Sequence, residues 1–204
     1  MQKIKNIIFD LGGVFLNLDF KQTELAFAAL GIGNFNEYYT LQTATPIFEQ
    51  LETGHISPEK FYDEFRKIVQ LSLSNEQIML AWNAMLLNFP SERINWLKEI
   101  GKKYKIYLLS NTNQIHEEAF TKLFKEQIGN YNFDELFIKA YYSHKLGMRK
   151  PSQEAFEAVL KAENLIIAET IFIDDSEGNI QAAKKLGLQT IHLPSPKTVL
   201  ELDL

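Results

Sequence analysis

Three short apolar runs in this chain share one ending. Ile7-Ile8-Phe9 runs into Asp10, Tyr107-Leu108-Leu109 into Ser110-Asn111-Thr112, and Ile171-Phe172-Ile173 into Asp174-Asp175. Runs this short and apolar at every position are what strands buried on both faces look like, and parallel sheets covered by helices bury both faces. The second and third runs are each preceded and followed by stretches of helical period, so the chain reads as a doubly wound α/β parallel sheet. A helix is expected directly after Asp174-Asp175: Ile180, Ala183 and Leu186 share a face, with Ser176 placed to cap its start and Gly187 to end it. In an open sheet of this kind, ligands sit beyond the carboxyl ends of the strands. The three polar clusters are therefore expected to converge there.

Between about Leu18 and Pro90 the texture changes to helix after helix. Ser57-Pro58 is a helix start, after which Phe61, Tyr62, Phe65, Ile68 and Val69 mark one apolar face. Ser74 with Gln77 forms a capping box ahead of Ile78, Ala81, Trp82 and Met85. Phe35, Tyr38 and Tyr39 read as core of the same unit. The expected organisation is a catalytic core of residues 1–17 and 89–204 and an inserted helical cap of residues 18–88. Hinges are expected near Phe15 to Asp19 and near Asn88 to Ser91.

Composition narrows the function. A net charge of −5 over 204 residues gives no basic field for a polyanion, so nucleic acid is not an expected partner. The absence of cysteine removes disulfides, thiolate nucleophiles and Cys-ligated zinc. No run approaches the roughly 20 apolar residues of a membrane span. Asp10 interrupts the apolar stretch that follows Lys3 and Lys5, so no signal-peptide core forms. The expectation is a cytoplasmic protein, with no membrane partner, acting on a small molecule; the residues do not indicate its oligomeric state.

The clusters suit an anionic substrate. Gly12 and Gly13 after Asp10 let backbone approach a ligand closely. Ser110 and Thr112 offer hydroxyl donors at a turn where a helix begins, a favourable anion site. Lys150 lies in the loop Leu146-Gly147-Met148-Arg149-Lys150-Pro151, which Pro151 stiffens. Asp10, Asp174 and Asp175 crowded together repel one another, by about 4 kcal/mol per pair at ~4 Å and an effective dielectric near 20. A phosphate dianion adds to that repulsion, and one lysine cannot balance it. A hard divalent cation, Mg²⁺, is the expected cofactor, because oxygen ligands are what it prefers.

Asp10-Leu11-Gly12-Gly13-Val14, Ser110-Asn111-Thr112, Lys150-Pro151 and Asp174-Asp175 resemble the four motifs of the haloacid dehalogenase superfamily, in order and across the whole Rossmann-like core. Ser110-Asn111-Thr112-Asn113 and Leu146 to Pro151 look similar to the branch containing bacterial α-D-glucose-1-phosphate phosphatases. The resemblance implies that Asp10 attacks phosphorus to form an aspartyl-phosphate, and that Lys150 steadies Asp10 and the transferring group. It implies that Ser110, Asn111 and Thr112 bind phosphate. It also implies a Mg²⁺ site of Asp10, the Gly12 carbonyl, Asp175 directly, and Asp174 directly or through water.

The sequence departs from the superfamily's pattern at Gly12, where most of its phosphatases have an aspartate serving as general acid and base. That help is typically worth about 10²–10⁴ in rate. Its loss favours a leaving group that departs easily, such as that of a sugar 1-phosphate. Asp19 and His55 are the side chains that could supply a proton instead, and Arg149 reads as a phosphate helper or a surface charge. Two other readings stand beside the phosphatase: a 2-haloacid dehalogenase, which attacks carbon without a metal, and a phosphometabolite-binding protein without catalysis. A receiver domain is disfavoured, because its acidic pair comes first in the chain.

Overall fold

The computed structural model describes residues 3–39 and 45–204. Residues 40–44, within the span expected to form the cap, and residues 1–2 of the expected core lie outside the described residues. The three apolar runs are strands β1 (Asn6–Phe9), β2 (Lys105–Ser110) and, further on, β4 (Thr170–Asp174). Two more strands complete the sheet, β3 (Lys139–Tyr142) and β5 (Gln189–His192). All pairings are parallel and the order is β3-β2-β1-β4-β5, so β1 is central. Strand order reverses direction beside β1, which creates the crevice where ligands of such sheets sit.

Alternate residues of the central strands feed two separate cores. Ile7, Phe9, Leu108 and Ile173 face a cluster completed by Ile94, Leu97 and Ile100 of α5 (Ser91–Ile100) and by Phe120 and Phe124 of α6 (Gln114–Gln127). Ile8, Tyr107, Leu109 and Phe172 face the other way. There they meet Phe156 and Val159 of α8 (Gln153–Ala162) and Ile180 and Ala183 of α9 (Glu177–Lys185). Helices on both faces are what made the runs within these strands apolar at every position. The short helix α7 (Ser143–Leu146) follows β3 directly.

Between β1 and α5 lie α1 (Phe20–Ala29), α2 (Pro46–Glu52), α3 (Pro58–Val69) and α4 (Asn75–Asn83). The Ser57 side chain caps α3, and Ser74 and Gln77 form the capping box of α4. Phe27, Phe35, Phe48, Phe61, Phe65 and Trp82 pack into one aromatic cluster, which also takes in Ile115 of α6. Phe35 stacks on Phe27 with ring centroids 4.3 Å apart. Tyr39 is buried in the same cluster and Tyr38 packs against it, while Ile68, expected on the apolar face of α3, is 41% exposed. The two chain crossings between sheet and helices run side by side. The Asn17 N–H donates to Asn88 O at 2.9 Å, the Leu87 N–H donates to Asn17 O at 3.0 Å, and the Asn17 and Asn88 side chains bond each other. No helix among the described residues is long and apolar enough to cross a membrane.

Candidate active site

Each polar cluster emerges at the carboxyl end of a central strand. Asp10 directly follows β1, and its N–H extends the ladder to Ile173 O at 2.9 Å. Asp174 is the last residue of β4 and fully buried; Ser110 is the last of β2 and also buried. Lys150 reaches this point from the loop between α7 and α8. Its ammonium donates to Asp10 Oδ1 at 2.8 Å and to Asp174 Oδ2 at 2.6 Å, above the Phe172 ring. Asp175 completes a group in which oxygens of Asp10, Asp174 and Asp175 all lie within 4.8 Å of one another. Asp175 fits there because residue 13 is glycine: Gly13 has φ +69°, and a Cβ on it would stand 2.3 Å from Asp175 Oδ2.

One ammonium does not satisfy three carboxylates. Burial pushes the Asp10 carboxyl up to about 7, with Lys150 pulling it down and Asp174 and Asp175 adding to the rise. Burial, then Asp174, raises Asp175 to about 6 against the pull of Lys150. Burial alone would lower the pKa of Lys150, but Asp10 and Asp174 outweigh it and hold the lysine charged. Three ionised carboxylates and one ammonium leave two negative charges, which a divalent cation would balance. The donors are all oxygen, which fits Mg²⁺ or a similarly hard ion.

The other expected residues come out less uniformly. Asn111, grouped with the phosphate binders, has a different task for its side chain: Nδ2 donates to Lys150 O at 2.8 Å, and Oδ1 accepts from Lys150 N at 2.8 Å. The main chain of Thr112 is likewise engaged, its N–H donating to Ser143 Oγ at 2.9 Å and its carbonyl accepting from that hydroxyl at 2.8 Å. Asn113 caps α6 by accepting from the His116 N–H. Ser176 stands at the start of α9 but makes no side-chain cap; Asp174 Oδ1 accepts its N–H at 2.8 Å instead. Gly187 does end that helix, with φ +92°.

Asp19 is not aimed at the site. Its carboxylate caps α1, accepting from the Lys21 N–H and from Gln22 Nε2. His55 bonds the Thr53 hydroxyl and lines a cleft of about 450 Å³ with Arg149. Arg149 is neither a surface charge nor a partner of the carboxylate cluster, because its Nη1 lies 2.8 Å from Glu52 Oε2.

Sequence reasoning missed four contributors: Asn179, whose amide donates to both Asp174 oxygens at 3.2 and 3.0 Å, Ser143, Glu52, and the clamping role of Asn111. Asn179 alone left a signal, since position 179 falls one turn of helix beyond the acidic pair.

A Rossmann-like parallel α/β sheet that gathers a lysine and three carboxylates at its strand reversal is the core of an enzyme with a site for an anion and a hard cation. The chain belongs to the haloacid dehalogenase-like hydrolases, whose family model matches residues 4–187. It is 32% identical over 188 residues to a D-ribitol-5-phosphate phosphatase of Bacteroides thetaiotaomicron, covering 92% of this chain and 90% of that one. It is 31% identical over 201 residues to a sesquiterpene phosphatase of Aspergillus oryzae, covering 97% and 94%. Among solved structures it resembles a haloacid dehalogenase family enzyme of Bacteroides thetaiotaomicron in complex with magnesium and inorganic phosphate. That match has a TM-score of 0.86 and 37% identity, and covers 95% of this chain and 96% of that one.

Proposed function

We propose that this hydrolase is a magnesium-dependent phosphatase that cleaves a small sugar or polyol phosphate through an aspartyl-phosphate at Asp10, with residues 18–88 serving as a cap over the site. The observation that carries the reading is the single ammonium of Lys150 set between Asp10 and Asp174 with Asp175 beside them. Such a site is short of positive charge until a divalent cation is present.

Asp10, Asp175 and the Gly12 carbonyl would hold the ion. Asp174, already accepting from Lys150, Ser176 and Asn179, would contribute directly or through water. Bound magnesium supplies charge neutralisation and orientation for the phosphoryl group. Lys150 pulls the Asp10 carboxyl toward its ionised form and fixes it, so that one oxygen can attack phosphorus in line while the bond to the leaving oxygen breaks and that oxygen takes its proton from water. Water then attacks the acyl phosphate and releases phosphate. The Ser110 hydroxyl and the main-chain N–H of Asn111 are the groups of the β2 turn that this reading assigns to the phosphoryl oxygens.

Gly12 by itself favours a sugar 1-phosphate. The ribitol 5-phosphate named for a relative is a primary ester, which supports the wider class of sugar and polyol phosphates. The dehalogenase reading is weakened by the carboxylates themselves, which would repel a haloacid anion without a metal.

The test is phosphate release from a panel of phosphorylated sugars and polyols, with and without Mg²⁺, and halide release from haloacids as a control. Mg²⁺-dependent phosphate release is expected. Halide release in chelator would favour the dehalogenase, and no turnover of any compound would favour a binding protein.

A further inference from the structure

An ion pair between buried Glu52 and partly buried Arg149 joins the helical insertion to the loop that carries Lys150. Glu52, the last residue of α2, is 3% exposed. Its Oε2 lies 2.8 Å from Arg149 Nη1, and its Oε1 accepts from the Tyr39 hydroxyl at 2.8 Å. Two residues further on, Gly54 has φ +69°, and a Cβ there would stand 2.0 Å from the carbonyl oxygen of His144. The end of α2 is thus docked twice on this stretch of chain, by backbone contact at His144 of α7 and by charge at Arg149 of the loop that follows. The proposed chemistry uses neither Glu52 nor Arg149.

Lys150 is the next residue after Arg149, and Asn111 grips its main chain through two hydrogen bonds. Its ammonium has to meet Asp10 and Asp174 within hydrogen-bond distance, so a small shift of the loop misplaces it. We propose that Glu52 is a positioning residue: by holding Arg149 it fixes where Lys150 stands, so that seating α2 on α7 and the loop after it and placing the lysine are one event. Lifting α2 would part the two charges and leave Arg149 without the counterion that holds it. A salt bridge that only stabilised the insertion would leave the lysine loop unaffected when broken.

The role in turnover rests on the phosphatase reading, so the deciding measurement is independent of activity. Hydrogen exchange is compared between wild type and Glu52→Gln, which keeps an acceptor for Tyr39 and removes the charge. Uptake across residues 144–150 is expected to rise while the β1 amides stay protected. Unchanged uptake at 144–150, or a rise confined to α1–α4, would overturn the proposal. Arg149→Gln removes the other charge of the pair, and it carries the same test if Glu52→Gln does not fold.

Kinetics with p-nitrophenyl phosphate then separates placement from binding. We expect kcat to fall by about 10–100-fold with KM changed by less than about twofold, as for a displaced catalytic group. The double variant Glu52→Gln/Arg149→Gln should be no slower than the slower single variant, because both break one pair. Wild-type kcat in Glu52→Gln would also contradict the proposal. Wild-type protein inactive on every phosphate ester would count against the phosphatase reading alone, with hydrogen exchange still deciding the role of Glu52.

Discussion

Gly13 and Asp175 occupy adjoining space in which only one of them can have a side chain: a Cβ on Gly13 would lie 2.3 Å from Asp175 Oδ2 and 2.6 Å from its Cγ. The backbone at Gly13, with φ +69°, is also one that other residues adopt at a cost of about 1–2 kcal/mol. Gly13→Ala should therefore displace Asp175 and weaken Mg²⁺ binding by about 10–100-fold, the scale seen when the support of a metal ligand is lost. Calorimetric titration with Mg²⁺ checks this, and unaltered affinity would remove Asp175 from the ligand set.

The raised values of Asp10, about 7, and Asp175, about 6, give the metal-free protein a definite pH dependence. The folded state binds protons more tightly than the unfolded chain does, so these groups lower stability as pH rises from about 4 to about 7. Mg²⁺ must displace those protons, and its apparent affinity should climb by up to roughly tenfold per pH unit for each proton released, then level off above about pH 8. Thermal melts with and without Mg²⁺ at about pH 5.5 and pH 8 should show the larger metal-induced rise at the higher pH. Equal rises at both would mean that the ion binds elsewhere.

Leu18 fills the space a side chain at position 12 would need, its Cδ1 standing 2.6 Å from a Cβ built on Gly12. With no carboxylate there to protonate the leaving oxygen, turnover should rise steeply as the leaving alcohol becomes more acidic. Gly12→Asp alone should be obstructed by Leu18, whereas Gly12→Asp with Leu18→Ala should flatten the dependence and restore part of the roughly 10²–10⁴ that general acid help provides. The check is a plot of log rate against leaving-group pKa for a series of phosphate esters. A shallow wild-type slope would show that another group already donates the proton.

What could be read from the sequence follows from burial and from chain distance. β1, β2 and β4 are central and covered on both faces, and so each carries an unbroken apolar run of three. β3 and β5 sit at the edges with sequences Lys-Ala-Tyr-Tyr and Gln-Thr-Ile-His, only partly buried, and carry no such signature. Asp10, Lys150, Asp174 and Asp175 could be picked out because each stands at a break in local pattern, and the structure brings them together. The groups that hold them could not. Asn111 with Lys150, Ser143 with Thr112 and Glu52 with Arg149 are ordinary polar residues whose pairing depends on distant segments meeting. Arg149 shows the limit most clearly, since its neighbours in sequence suggest phosphate and its partner in space is a glutamate of α2.

The central claim, that Asp10 is the nucleophile of a phosphoryl transfer, is tested most directly by trapping the phospho-enzyme. Turnover with Mg²⁺ and a reactive phosphate ester is quenched in acid, the acyl phosphate is reduced with borohydride, and the modified residue is located by peptide mass spectrometry. Asp10 should be recovered as homoserine in wild type, and Asp10→Asn, similar in volume and folded, should give neither label nor phosphate release. Phosphate release by Asp10→Asn at a rate near wild type, or wild-type label on a different residue, would contradict the account.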